Sequence, residues 1–346
     1  QEVGATFSTT DLSAGTLSFY AQVGNTRSTT KLVTLRTPQV LPTKLTVDVV
    51  FHVFEQSPYD KTYDPYTYQP VTKDILDAAI KDLNDVFNNR LDNDANGASA
   101  NIEFRLAETN AAGQSLDVPG LDVYTYDYTL ITPPRTAYNL FDFTYYINRT
   151  PGFIWDPSRF FNIYVIPGAA NVSTASPRAM YQVVPEGETA LPGMAAPPAT
   201  IMMNGVSVPL PDFATYPNGV VPADLELPVA YETAGLGIPR TLLFPGMGKR
   251  VSICSPVGAY YGVWATQGTS TYTDYCTDTR IYNNNDAARN DWNTLTKVSI
   301  NGDKFLANNA MDDTRYPSLR NTFTLDQVKR IRWVISHSPL RSHGRP

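Results

Sequence analysis

Chemistry at a metal or a nucleophilic centre needs side chains with lone pairs in one neighbourhood, and this chain offers few of them. Its histidines are His52, His337 and His343, and its cysteines are Cys254 and Cys276. Zinc takes imidazole, thiolate or carboxylate, and no three of the histidines are spaced as a site. His52 stands in an apolar, β-branched run, where the plain reading is a hydrogen-bonded core histidine. A Cys254–Cys276 disulfide would stabilise by about 3 kcal/mol in an oxidising compartment; two free buried thiols are the alternative. One stretch matches a calcium loop: Asp92, Asp94, Asn96, Gly97 and Glu103 fit D-x-[DN]-x-[DN]-G-x5-E. Glu103 is equally the outward member of an alternating strand, so a helix-to-strand turn is the preferred reading, with calcium as the minor one. Glu232, Asp274, Asp278, Asp312 and Asp313 could bind a hard cation, but without an imidazole base or a nucleophile pair they read as turn and cap residues.

Those residues need a scaffold, and 346 residues with 42% hydrophobic side chains can bury a large core. Charged residues are 17%, below the roughly 25% of ordinary soluble domains. Tyrosine and proline are abundant, which suits an exported protein of sheets and long loops. A net charge of −6 without a basic stripe argues against nucleic acid as a partner. No apolar run is long enough to span a bilayer. A chain starting at Gln1 fits a form from which an export signal has been removed, leaving it at the cell surface or in the periplasm, with a lipid anchor on the removed segment as one option.

Residues 1–43 read as a small β appendage and linker, rich in Thr and Ser with short alternations such as Thr16 to Ala21, and residues 44–346 as one domain. Leu45 to Phe54 is apolar on both faces, as a doubly buried strand is. From Thr72 the period becomes helical: Ile75, Ala79, Ile80, Leu83, Val86 and Phe87 share a face, Thr72 is placed to cap and Asp74 to complement the dipole. Ile102 to Leu106 then alternates as a half-buried strand, so strand, helix, strand predicts an α/β arrangement with the two strands parallel in one sheet. Phe160 to Ile166 is a third buried strand, and Thr200 to Met203 is strand-like within the loop-rich stretch 167–250. A last helix is expected over Asp326 to Ser336, with Thr324 as its cap.

In this order the segments resemble the zinc-dependent metalloproteinase lipoproteins of gut Bacteroidetes, pappalysin-like members of the metzincins. The matching pieces are Val49 to Phe54, Trp155 to Val165, Pro222 to Pro228, Thr273 to Thr279 and Phe323 to Ile331, together with Asn309 to Asp313, which looks like the family's methionine turn. The resemblance spans residues 45–340. It implies a zincin-like α/β (α+β) catalytic-domain fold: a mixed twisted sheet, a long backing helix, an active-site helix, and Met311 beneath the metal position.

The active-site helix is where this sequence departs from the resemblance. Against H-E-x-x-H-x-x-G-x-x-H, Ser255 takes the first histidine position, Pro256 the glutamate, Ala259 the second histidine and Ala265 the third, while Gly262 is kept. Methyl groups hold no zinc, and without the glutamate the mechanism has no base. Zinc is therefore expected to be absent. Pro256 predicts a shortened or kinked helix, with Ser255 as N-cap and Pro256 as first helical residue, because a helix-interior proline costs about 3 kcal/mol. The rival frame Tyr231 to Gly235 supplies no third ligand. The expected function is that of an inactive peptidase homologue holding a peptide, protein or glycan in a cleft lined by Tyr260, Tyr261, Trp264 and Met311. Core packing of part of that set is the competing reading, since Tyr260 and Trp264 share one helical stripe. Residual or rebuilt hydrolase activity and a structural surface role are the alternatives.

Overall fold

The computed structural model describes residues 16–34, 39–56, 69–91, 96–126, 152–166, 189, 191–193, 200–203, 206–209, 235–245, 249–268, 274–283, 286, 290–291, 293–313, 316, 319–338, 341 and 344–345. The chain divides into two compact units, Gln1–Leu41 and Pro42–Pro346. In the first, β1 (Thr16–Phe19) pairs antiparallel with β4 (Lys31–Thr34), and β2 (Gln22–Val23) turns back on β3 (Thr26–Arg27) through Gly24 at φ +58.

The second unit contains, in order, β5 (Leu45–Gln56), α1 (Lys73–Phe87), β6 (Gly97–Ala98), β7 (Ile102–Leu106), β8 (Leu121–Tyr126), β9 (Phe160–Ile166), β10 (Thr200–Met203), β11 (Val206–Pro209), β12 (Gly235–Pro239), α2 (Cys254–Tyr260), β13 (Thr296–Val298), β14 (Lys304–Leu306), β15 (Phe323–Thr324), α3 (Leu325–His337) and β16 (Gly344–Arg345). Its sheet is built on β5. One edge of β5 pairs in parallel first with β7 and then, from Phe51 onward, with β8. β9 also pairs with β5 in parallel, and β12 extends the sheet beyond β9. β16 returns antiparallel against Thr46 and Val47. The handover from β7 to β8 turns on Gly120 at φ +70, whose amide donates to Ala107 O (2.7 Å) and whose carbonyl accepts from Phe51 N (2.7 Å). The predicted parallel strand, helix, strand opening is therefore present.

Alternation along β5 sorts the two faces. Val47, Val49, Phe51 and Val53 enter the main core, under α1, α2 and α3, while Val50 packs on Ala107, Trp155 and Phe160 in a separate cluster. α1 buries Leu76, Ala79, Ile80, Leu83, Val86 and Phe87. It also closes the outer edge of β7: Asn84 brackets the Phe104 amide and carbonyl, both at 2.8 Å, and Asn88 does the same for Ile102. Side-chain amides thus satisfy backbone groups that an edge strand leaves open. Thr72 occupies the N-cap in extended geometry but makes no side-chain cap bond; its carbonyl alone accepts, from Ile75 N and Leu76 N. α3 begins at Leu325 with a full capping box, Thr324 accepting from Gln327 N and Gln327 from Thr324 N.

One polar residue on the apolar face of α1 is fully enclosed. Asp82 sits with its Oδ2 accepting from Ile253 N (3.2 Å) and its Oδ1 2.9 Å from Arg250 Nε. Burial raises its carboxyl to about 7, against the opposing pull of Arg250 and the Ile253 and Cys254 amides. A carboxyl whose folded value is raised contributes stability that is complete below its unfolded value near 4 and is lost as pH rises through about 7. Unfolding midpoints measured from pH 4 to 8 are expected to fall across that window. Asp82→Asn, which holds the side chain uncharged at every pH, should flatten that slope.

Candidate functional site

α2 is seven residues long and begins beside Asp82. The expected cap at Ser255 is displaced: the helix starts at Cys254, with Ile253 as N-cap, and Ser255 lies inside the first turn. Asp82, from another helix, accepts from the Ile253 amide at the N-cap and from the first helical amide, Cys254 N, so two donors left open at this helix start are satisfied there. Pro256 then falls at the third helical position, where a backbone N–H would have no intrahelical partner, so the proline costs no hydrogen bond. The helix ends in a Schellman motif. Gly262 N donates to Ala259 O (2.9 Å), Val263 N donates to Gly258 O (3.0 Å), and Gly262 takes φ +81. The glycine is kept because the chain must pass through the left-handed region there before descending toward Ala265.

The methionine turn closes against this helix. Asn309 N donates to Asp312 Oδ2 (2.9 Å), Asp312 N to Asn309 O (3.0 Å) and Met311 N to Asn309 Oδ1 (2.9 Å). Thr266, the residue after Ala265, donates its hydroxyl to Asp312 Oδ1. Burial raises the Asp312 carboxyl to about 6, while the Thr266 hydroxyl and the Asn309 amide pull the other way. Asn309 and Gln327 exchange amide bonds of 2.8 and 3.2 Å, joining the turn to the capping box of α3. Gly258 makes the contact close: a Cβ there would lie 2.8 Å from the Phe323 ring and 3.0 Å from Met311 Sδ.

Within this frame Ala259 is buried, and Ser255 and Ala265 are half-buried. Two methyls and a hydroxyl do not fit zinc, whose ligands must offer imidazole, thiolate or carboxylate lone pairs. Among the described residues, no group of three or more His, Cys, Asp or Glu could hold a metal ion. His52 is enclosed in the sheet and His337 closes α3, its ring stacked on Trp333 at 4.2 Å; His343 lies outside the described residues. So do Asp92 and Asp94 of the calcium pattern, the Pro222 to Pro228 segment, and Glu232. Asn96 is described, and Glu103 projects from β7 in an ion pair with Lys44. The Lys44 ammonium, the main cause, holds its carboxyl below the usual range.

The carboxylates considered for rebuilt chemistry hold loops. Asp274 accepts from Cys276 N and the Thr279 hydroxyl, Asp278 from Asp326 N, and Asp312 from the methionine turn; Asp313 N donates to the Tyr282 hydroxyl oxygen. Cys254 and Cys276 are buried free thiols, Cys254 facing Ser252 and Arg320 O, and burial pushes the Cys254 thiol up to about 12.

The aromatic set separates. Tyr260 and Tyr261 are core residues, stacked or tilted on Phe161 at 5.1 and 5.5 Å and almost fully enclosed, so they back the helix instead of walling a cleft. Trp264 is half-buried, and Tyr275 meets it at 5.8 Å edge to face with 44% of its surface exposed. Tyr275 was not singled out from the sequence, although it lies in the Thr273 to Thr279 segment. It holds φ +60, a conformation uncommon for a residue with a side chain. Asp82 was also missed. Its place between Ala79 and Val86, three and four residues away along the apolar stripe, was the available signal.

A mixed α/β arrangement with a twisted parallel sheet and few helices gives a metallopeptidase-like fold. Among solved structures the chain is similar to mirolysin in complex with compound 9, with 18% identity, TM-score 0.51, and 87% of this chain and 95% of that chain covered. It is likewise similar to a promirolysin variant of Tannerella forsythia, with 16% identity, TM-score 0.51, and 88% and 85% covered. No protein-family description and no curated protein matches the sequence. No helix among the described residues is long and apolar enough to cross a membrane.

Two outcomes follow from this geometry. Gly258→Ala should destabilise by about 1–3 kcal/mol in chemical denaturation, because the new methyl meets Phe323 and Met311, despite alanine's better helix propensity. The combined variant Ser255→His, Ala259→His and Ala265→His should acquire about one equivalent of zinc by elemental analysis, and the unaltered chain, treated identically, should not.

Proposed function

We propose that this chain is a catalytically inactive metallopeptidase homologue that binds a ligand without cleaving it. The observation carrying this reading is the combination at α2. The glycine turn and the methionine turn are intact, while the ligand positions hold Ser255, Ala259 and Ala265 and the base position holds Pro256. Zinc hydrolysis requires a metal-polarised water and a base to take its proton, and neither can be assembled from these side chains.

The half-buried Trp264 and the exposed Tyr275, beside Ala265, supply the aromatic surface on which an extended peptide or a glycan would rest. Met311 stands beneath the helix and shapes the floor. The low charge fraction and abundant tyrosine support an exported protein working at the cell surface or in the periplasm, with lipid anchoring as part of the same proposal. Calcium in the 92–103 loop belongs to it only as a secondary feature.

Purified protein is expected to carry substoichiometric zinc and to leave a peptide library uncut by mass spectrometry. Screening that library and a glycan array should yield a binder whose affinity drops at least about tenfold, or ~1.4 kcal/mol, in Trp264→Ala. Tightly held stoichiometric zinc, or chelator-sensitive cleavage, would overturn the proposal.

A further inference from the structure

The face of the sheet opposite α1 and α2 carries a polar group that the peptidase-like frame does not use. His52, on β5, is in register with Asp122 on β8 and with Tyr164 on β9. Its ring is fully buried. Nδ1 lies 2.8 Å from Asp122 Oδ2 and Nε2 lies 2.9 Å from Asn162 Oδ1.

The orientation of Asn162 is fixed by the backbone. Its Oδ1 accepts from Trp155 N (3.1 Å) and its Nδ2 donates to Trp155 O (2.9 Å). A flipped amide would set donor against donor and acceptor against acceptor at both contacts. The atom facing His52 Nε2 is therefore an acceptor, and Nε2 must carry a proton. On the other side of the ring stands a carboxylate, which offers only lone pairs. A neutral ring protonated at Nε2 would turn the Nδ1 lone pair onto that carboxylate at hydrogen-bond distance, which is repulsive. The phenol of Tyr164 is stacked on the ring at 5.0 Å, an arrangement that favours a cation over a neutral imidazole.

We infer that His52 and Asp122 form a buried imidazolium–carboxylate pair, a proton-dependent latch that ties β5 to β8 while Asn162 ties the same ring to the Trp155 turn and β9. The groups facing the ring are Asp122 and Tyr124 on β8, Asn162 and Tyr164 on β9, and Trp155 on the turn before it. The Tyr124 hydroxyl bonds the same Asp122 carboxylate, which holds that oxygen pair in place. The Asp122 side chain is 21% exposed, whereas that of His52 is closed to solvent.

The test is the long-range proton–nitrogen spectrum of the full chain labelled with nitrogen-15 histidine, at pH 7.5. His52→Gln assigns the signals by their disappearance. Both His52 ring nitrogens should report bound protons. In Asp122→Asn the new amide can donate to Nδ1, so the ring should become neutral and the Nδ1 resonance should move to the unprotonated region while Nε2 stays protonated. An unprotonated Nδ1 in the unaltered chain at pH 7.5 overturns the inference, whether or not the Asp122→Asn variant folds, and so does an Nδ1 signal unchanged by that substitution.

Discussion

A carboxylate cannot be enclosed in an apolar core without partners, and the enclosure of Asp82 disciplines the site half of the molecule. Its partners are two amides at the start of α2 and the guanidinium of Arg250. All three lie in the segment leading into that helix, so the position of α1 dictates where α2 begins. The end of α2 is then set by its short length and by Gly262, and the descent to Thr266 brings the chain onto Asp312. Arg330, reaching from α3, donates to Gly262 O and ties the turn to the last helix. The links at Ile253, Thr266 and Gly262 are hydrogen bonds to buried groups, and Arg250 adds an ion pair.

The contacts behind α2 are close: the methyl-sized gap at Gly258 lets Phe323 and Met311 touch the helix, and the Asn309–Gln327 amide pair joins the 309–312 turn to α3. Tyr260 and Tyr261 fill the space between α2 and the sheet. With these contacts the helix is anchored from behind, while Ser255 on it and Trp264 and Ala265 after it remain half-buried and Tyr275 exposed.

The two faces of the sheet follow different rules. Toward the helices the core is aliphatic and aromatic apart from Asp82 and the groups that meet it, and close packing orders most of it. On the reverse face His52, Asn162 and Asp122 sit among Trp155, Tyr124 and Tyr164, and hydrogen-bond geometry does the ordering. Such a network specifies register, because displacing β5 by one residue would carry His52 to the apolar face.

The sequence by itself determined the elements whose periodicity or punctuation is strong. The doubly apolar run of β5, the helical stripe of α1, the alternation of β7 and the Thr324–Gln327 box are local patterns, and each has a local physical cause. It also determined which atoms α2 can offer, since alanine and proline bring no metal-ligating lone pair whatever surrounds them. Tertiary structure alone decided which groups met. Asp82 met the start of α2 from a helix distant in sequence, and the N-cap falls at Ile253, two residues ahead of the expected Ser255. Tyr260 and Tyr261 were drawn into the core, leaving Tyr275 beside Trp264, and the thiols of Cys254 and Cys276 found separate surroundings. Of these outcomes only the inward placement of Asp82 left a trace in its position on the stripe. The partners did not, because long-range contacts are fixed by the packing of whole elements and not by the residue types at any one spacing.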